Sequence, residues 1–212
     1  DAIGTTIAGV NEPLGLGRKT LEYTKMMSAG SAGDASVIGG GFKTSMLNAA
    51  YANGVLCHAL DYDNTWWPRN HPASPTIPAI LATAERSKLP GSEVLLAIVL
   101  AFEVQGRIRV ASSRMNTGGT FHHPSVSGTM GSTTGVGKLL NLTSDQFRMA
   151  YGIAGSRCSS LTANHGTMTK PSHSGHGARM GLEAAHLASI DFTGAEDIFG
   201  EGNFFPTFYD GA

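Results

Sequence analysis

Apolar and small side chains recur every three to four residues along most of the chain, which is the spacing of one face of an α-helix. This spacing predicts helices over residues 18–29, 44–60, 78–86, 93–110, 128–140, 143–156 and 173–190. The run at 93–110 is apolar almost all round at its start, which predicts a helix buried at the centre of the domain. Residues 30–42 are rich in Gly, Ser and Ala and are compatible with a loop or a short strand. We therefore predict a mostly α domain of closely packed helices with little sheet.

A few residues mark where individual helices begin. Pro78 is placed near the N-terminus of its predicted helix, where a missing N–H costs little. Ser92 follows a Pro-Gly break and is expected to cap the next helix. Thr143 and Gln146 have the spacing of a capping box, in which each side chain bonds the backbone N–H near the other.

The composition favours close packing of these helices. Of the 212 residues, 41% are apolar, 28 are Gly and only 15% are charged, well below the usual quarter. Residues 128–140 (GTMGSTTGVGKLL) illustrate this, because they consist mostly of small side chains. They do not form a phosphate-binding loop, since Leu139 follows the Gly-Lys pair where that motif needs Ser or Thr. The segment therefore predicts a helix that neighbouring helices approach closely.

The charge pattern and the two cysteines exclude several classes of function. The formal net charge is −1 and no block of Lys and Arg is present, which argues against a nucleic acid partner. The longest apolar run, residues 94–102, is too short to span a bilayer, so no membrane partner is expected. Cys57 and Cys158 lack a metal-binding spacing and are interpreted as reduced core thiols. We expect a cytoplasmic protein, with mitochondria as the alternative if a targeting segment precedes Asp1.

Three polar segments between the predicted helices carry most of the candidate chemistry. They are HALDYDNTWWPRNHP at residues 58–72, FHHPS at 121–125 and GTMTKPSH at 166–173. The side chains of interest are Asp61, Thr65, His71, His122, Lys170 and His173. If the segments converge, they form a cationic pocket with hydroxyl donors and an acid or base, which suits a small polycarboxylate. The alternative for the first segment is a buried polar turn that only caps helices.

Other histidines have less specific interpretations. His58 lies within a helical pattern and is expected to be a core or interface residue. His123 is expected to point away from the site that His122 faces, because adjacent side chains diverge. His165, His173 and His176 lack a Cys or carboxylate at a familiar zinc spacing, so we expect no metal.

All three segments resemble motifs of the MmgE/PrpD family. HALDYDNTWWPRNHP is similar to its HAxDxDDT…HP segment, FHHPSVSGTMGS to FHPxxxxGTxG, and GTMTKPSHSGHGARMGLEAAHLA to GTxTKxxHxGxAAxxGxxAAxLA. The order and spacing of the motifs match, and the resemblance covers nearly the whole chain. It implies that residues 1–212 are the large helical domain of such a protein, truncated at its N-terminus and without the smaller lid domain.

The resemblance also implies a function and a site. Members of the family act on small polycarboxylates without a redox cofactor, so no cofactor is expected, and a homodimer is expected through the helical domain. The pocket would be lined by Asp61, Thr65, His71, His122 and Lys170. Two departures, Asn64 in place of a second Asp and Trp67 in place of His, leave the identity of the substrate open.

The implied reaction is decarboxylation of cis-aconitate to itaconate or of a close analogue. The alternatives are dehydration of 2-methylcitrate, epimerisation of an iminodisuccinate-type acid, and a helical domain that dimerises without catalysis. In the first case Lys170 would hold a carboxylate, Thr65 and His122 would bond another, and His173 would assist binding. His71 is the expected proton donor and Asp61 would orient an imidazole. By itself, the chain is expected to have little turnover, because a closing lid completes many sites.

Overall fold

The computed structural model describes residues 1–29, 33–113 and 120–209. In these residues the chain forms helices and one two-stranded antiparallel sheet, which confirms the predicted mostly α fold. The elements in chain order are α1 Ala2–Gly9, α2 Leu16–Met27, β1 Ala35–Val37, β2 Phe42–Thr44, α3 Met46–His58, α4 Ala73–Ser87, α5 Gly91–Ser112, α6 His123–Leu139, α7 Ser144–Gly155, α8 Thr169–Ser189 and α9 Phe204–Tyr209. The predicted loop or strand at 30–42 contains β1 and the first residue of β2, and its residues 30–32 lie outside the described part.

Helix α6 occupies the centre of the domain and packs against α4, α5, α7 and α8. Its small side chains allow this, because neighbouring helices come close to its backbone. A methyl group on Gly131 would lie 2.4 Å from the side-chain nitrogen of Gln105 on α5. On the facing side, a methyl group on Gly181 of α8 would lie 2.4 Å from the Thr129 carbonyl oxygen. The small-residue segment is therefore a close-packed helix, as predicted.

The hydroxyl groups of α6 are buried without being left unpaired. Thr129, Thr133 and Thr134 each donate a hydrogen bond of 2.8 Å to the carbonyl four residues earlier. Ser127 does the same with the carbonyl of His123. Because local bonds satisfy these donors, a polar-looking sequence can form a core helix at little desolvation cost.

The prediction that residues 93–110 form the central buried helix is wrong. Helix α5 buries a narrow stripe that includes Ala97 and Ala101, whereas Leu95 and Val99 are 66% and 63% exposed. Apolar composition shows what a helix is able to bury, but the neighbours decide what it does bury. On the exposed face Glu103 and Arg107 pair at 2.7 Å, as their spacing suggests.

Several helix boundaries also differ from the predictions. Helix α4 begins at Ala73, so Pro78 lies inside it and removes one helical hydrogen bond. The residue before α5 is Pro90, and Ser92 is already within that helix. Helix α8 begins at Thr169 rather than at residue 173. Pro171 is tolerated in its first turn, because the backbone N–H groups of a first turn have no helical partner. The capping box at the start of α7 is confirmed.

Two remaining expectations concern the cysteines and membranes. Cys57 and Cys158 are both buried free thiols. Burial raises their pKa values to about 11 and about 12, which keeps them protonated and unreactive. No helix in the described ranges combines the length and the apolar character that crossing a membrane would need.

Candidate active site

The three polar segments come together around one cavity of about 590 Å³. The loop after α3 forms one wall, the N-terminus of α6 a second, and the start of α8 with the preceding loop a third. Its charged and imidazole-bearing lining residues are Asp61, Arg69, His71, Arg109, His122, His123, His165 and Lys170. Side chains far apart in the sequence therefore share one concave surface, which is the usual form of a small-molecule site.

The loop after α3 is held by bonds to the helices beneath it. Asp61 has a left-handed backbone with φ of 51°, which turns the chain away from α3. The backbone N–H of Trp66 donates to the carbonyl of Asn70 at 3.3 Å and closes the loop. The Asn70 amide then donates to Gln105 of α5 at 3.4 Å and accepts from Ser127 of α6 at 3.3 Å. This anchoring places His71, the next residue, at the cavity.

The two adjacent tryptophans, Trp66 and Trp67, have different surroundings. The ring of Trp66 packs edge-on against Phe102 of α5, with centroids 5.7 Å apart. Trp67 is 87% exposed and lies at the rim of the cavity. Trp66 therefore packs the loop against α5 and Trp67 borders the cavity, whereas the buried polar groups of the site lie elsewhere.

A buried carboxylate, Asp63, lies behind the cavity between two imidazoles. Its Oδ1 atom is 2.7 Å from Nδ1 of His58 and 3.3 Å from Nδ1 of His71. Burial by itself would raise the pKa of Asp63, but the interactions with His58 and His71 outweigh it and hold that pKa well below its usual range. The carboxylate is therefore charged and stabilises positive charge on the neighbouring rings.

The second carboxylate, Asp61, faces the cavity and pairs with Lys170. Their Oδ1 and Nζ atoms are 2.6 Å apart, and Nε2 of His71 lies 3.5 Å from the same oxygen. Partial burial would raise the pKa of Asp61, but the bond and charge of Lys170 lower it overall. His71 thus lies between two carboxylates, with Lys170 beside one of them.

A second imidazole group is centred on His122. Nδ1 of His122 and Nδ1 of His173 are 3.1 Å apart, so one ring donates a hydrogen bond and the other accepts it. The ring of His165 contacts His122 from another side at 4.9 Å between centroids. Burial, followed by the charge of His173, lowers the pKa of His122 to about 2. Burial and neighbouring charges lower that of His173 to about 4, so both rings are neutral near pH 7.

The backbone position of His122 depends on the loop before α8. Its N–H donates to the carbonyl of Ser160 at 2.8 Å. The Ser160 hydroxyl in turn donates to that of Ser125 at 2.9 Å. These bonds attach the first turn of α6 to a segment more than thirty residues later and fix the direction of the His122 ring.

The predicted site residues separate into three groups. Asp61, His71, His122 and Lys170 border the cavity together. His173 is buried behind His122 and does not line the cavity. Thr65 is exposed on the loop and is not among the cavity-lining residues, so the geometry does not bring it to the others. Their roles in binding and catalysis stay predictions.

Two histidines differ from their expected placement. His58 is fully buried, as expected of a core residue, yet it bonds Asp63 at the back of the site. His123 was expected to point away, but it also borders the cavity while its ring stacks on Tyr209. Asp63 was not among the predicted site residues, although its carboxylate two residues after Asp61 was an available signal.

Four residues of the site have ligand atoms close enough to hold a metal ion. One atom each from His58, Asp61, Asp63 and His71 lies within 4.8 Å of the others. The ammonium group of Lys170 lies beside Asp61, however, and a second cation there would be repelled by it. His176 of the other possible cluster contacts Ser159 and the carbonyl of Arg157 instead. The absence of a metal stays a prediction.

Comparison with known proteins gives a consistent family. The chain matches the MmgE/PrpD N-terminal domain over residues 1–211. It is 35% identical to the cis-aconitate decarboxylase of Mus musculus over 198 residues and 40% identical to that of Homo sapiens over 166 residues. These alignments cover 90% and 76% of the chain but only 40% and 34% of the relatives.

A relative with a different name is similar over a comparable part. The 2-methylcitrate dehydratase of Cupriavidus necator is 31% identical over 163 residues, which are 68% of the chain and 33% of that protein. The chain spans well under half the length of the curated relatives it matches. The match over residues 1–211 agrees with the helical fold and with the three motifs at the cavity. The chain therefore belongs to the MmgE/PrpD family.

Proposed function

We propose that the protein is a lyase that acts on a small polycarboxylate, by decarboxylation of cis-aconitate to itaconate or of a close analogue. The observation that carries the proposal is that His71, flanked by two carboxylates, shares a cavity of about 590 Å³ with Lys170 and His122. A cavity of this volume accommodates a small organic acid. The two relatives named cis-aconitate decarboxylase support this choice of reaction.

Lys170 would bind one carboxylate of the substrate. Its ammonium group carries three donors, and Asp61 at 2.6 Å uses only one of them. The pair with Asp61 aims the remaining donors and limits the motion of a long side chain. Lys170 was expected in a segment between helices, but it lies in the first turn of α8, which holds it more firmly.

His122 would donate or accept a hydrogen bond as a neutral ring. Burial keeps it uncharged near neutral pH, and His173 determines which nitrogen carries the proton toward the cavity. A neutral donor binds a carboxylate without adding another buried positive charge. His122 is therefore assigned to orientation of the substrate rather than to proton transfer.

His71 would deliver the proton. In the reaction the bond to the departing carboxylate breaks, CO₂ leaves, and the electron pair spreads over the adjoining allylic system. The protonated ring of His71 then gives its proton to the carbon at the far end of that system. Asp61 and Asp63 stabilise the charged ring before the transfer, and the side chain is 16% exposed, which allows a new proton to enter from solvent.

Dehydration of 2-methylcitrate is the second candidate, because one relative of the chain carries that name. The same groups would serve, since Lys170 could bind a carboxylate and His71 could protonate the departing hydroxyl. The two reactions differ in the bond that breaks and therefore in their products. Product analysis separates them.

The test is to incubate the full-length protein with cis-aconitate, 2-methylcitrate and iminodisuccinate and to identify products by ¹H NMR. We expect itaconate and CO₂ from cis-aconitate. His71→Ala should lower kcat roughly 10²- to 10⁴-fold, the usual contribution of general acid catalysis. His186→Ala is the matched control, because this α8 histidine has an unpaired Nε2 and lies outside the cavity lining. No turnover of any of the three acids would contradict the proposed function.

We also propose that the protein is a homodimer. The support is the low charged fraction and the exposed apolar face of α5, which includes Leu95, Leu96 and Val99. Apolar patches on protein surfaces frequently mark contacts with another chain. Sedimentation velocity should give a dimer for the full-length protein and a weaker one for Val99→Lys. A monomer at micromolar concentration, for a folded sample, would refute this proposal.

A further inference from the structure

The cavity contains positive charges that the proposed chemistry does not use. Arg109 projects from α5 into the lining and is only 4% exposed, and Arg69 enters from the loop after α3. Within the part of the chain that the structure describes, no Asp or Glu carboxylate pairs with either guanidinium group. Lys170, by contrast, pairs its charge with Asp61.

The contacts of Arg109 leave most of its donors unused. Nη1 donates to the hydroxyl of Ser112 at 2.8 Å, and the guanidinium carbon lies 5.6 Å from the centre of the Tyr209 ring. Nε is buried and has no hydrogen-bond partner. Burial lowers the pKa of Arg109, but an arginine still keeps its proton at neutral pH. The Tyr209 side chain also stabilises the charge of Arg109 through its hydroxyl group. A buried charge whose partners are neutral, like Ser112 and Tyr209, is unfavourable unless an anion completes it.

The positive groups of the cavity act on different histidines. Burial, then Arg109 and Arg69, lower the pKa of His123 to about 4. Lys170, by contrast, is among the charges that lower the pKa values of His122 and His173. The contacts agree with this, because Arg109 lies 5.6 Å from the centre of the Tyr209 ring on which His123 stacks, whereas Lys170 lies 2.6 Å from Asp61. The cavity therefore has one cationic region at Arg109 and another at Lys170.

We propose that Arg109 and Arg69 form a second anion-binding subsite, which holds a carboxylate of the substrate other than the one bound by Lys170. Arg109 presents a planar fork of donors that matches the two oxygens of a carboxylate. Arg69 is exposed and adds attraction for an anion as it approaches. The substrate class is then an acid with carboxylates on separate carbon atoms. This inference deepens the proposed function and rests on it only for the role of Lys170.

The subsite can be tested by binding alone, without turnover. The probe is propane-1,2,3-tricarboxylate, which has no double bond or hydroxyl group to react, and its dissociation constant is measured by titration calorimetry with the full-length protein. Arg109→Met should raise the Kd about 10- to 100-fold, the range expected for loss of a hydrogen bond between charged groups. Arg69→Gln should raise it about threefold and reduce its dependence on salt.

Arg107→Gln is the matched control. Arg107 lies on the same helix two residues earlier, but its side chain is 78% exposed, pairs with Glu103 and does not line the cavity. Its Kd should stay within twofold of the wild type. If Arg109→Met does not fold, Arg109→Lys keeps the charge without the fork and should still weaken binding about tenfold.

The outcomes separate this inference from the proposed function. Unchanged affinity in folded Arg109→Met or Arg109→Lys would overturn the proposed subsite. A wild-type protein that does not bind the tricarboxylate would also overturn it. Tight binding that depends on Arg109, combined with no turnover of any tested acid, would support the subsite and overturn the lyase assignment instead.

Discussion

Replacing Asp63 by asparagine tests the least obvious part of the proposed mechanism. Asp63 does not line the cavity, so it acts on the substrate only through the imidazole of His71. At an effective dielectric constant of about 20, a charged carboxylate 3.3 Å from a protonated ring contributes roughly 5 kcal/mol. An amide dipole recovers part of this interaction. If it recovers about half, the remaining loss is about 2.5 kcal/mol, which corresponds to about 10²-fold in rate.

The expected result for Asp63→Asn is therefore a kcat about 10²-fold lower at pH 7, with KM within threefold of the wild type. Steady-state kinetics at pH 7 with cis-aconitate, followed by itaconate formation, would measure both constants. A thermal melt would confirm that the variant is folded.

A matched control is Asp34→Asn, which removes a carboxylate that pairs with Arg86 at 3.1 Å on the surface. Exposed pairs contribute little, so neither kcat nor KM should change. A folded Asp63→Asn variant that retained more than half of the wild-type kcat would refute this role of Asp63. In that case Asp61 alone would support proton transfer by His71.

Two further predictions concern stability. Because burial keeps His122 and His173 neutral in the folded state, the unfolded chain binds more protons below pH about 6.5. If this coupled pair counts as one group, urea denaturation should give a free energy of unfolding about 2 kcal/mol lower at pH 5 than at pH 7. The loss should be smaller in His122→Gln, and equal stability at both pH values would contradict this prediction. Gly181→Ala should cost about 1–3 kcal/mol, because its methyl group would meet the Thr129 carbonyl oxygen at 2.4 Å. The control Gly4→Ala, with no atom within 4 Å, should be neutral or slightly stabilising.

The helices were predictable from sequence where local signals decide them. The capping box of Thr143 and Gln146 marks the start of α7 correctly, because both partners are three residues apart. The start of α8 was predicted too late, since Pro171 is compatible with either a turn or a first helical turn. The burial of α5 was predicted wrongly, because Leu95 and Val99 give an apolar signal whether or not another element covers them.

The site was predictable only in part, for a related reason. Asp61, His71, His122 and Lys170 stand in loops or helix ends with other polar residues, and this clustering pointed to them. Arg109 carried no such signal, because it follows Arg107 on an apolar helix and only the packing of α5 distinguishes the two. Arg109 is buried at the cavity, and Arg107 is exposed.

The close packing of α6 has a consequence for how this protein can change. A methyl group on Gly128, Gly131 or Gly135 would meet a side chain of α4 or α5 at 2.4 Å, so most substitutions that add volume there will destabilise the fold. A combinatorial library that randomised α6 would therefore yield few folded members. Variation at Trp67 and Arg69, on the loop at the cavity rim, meets no such restriction. New substrate preferences are expected to arise from that loop, by drift or by laboratory selection, while the central helix stays the same.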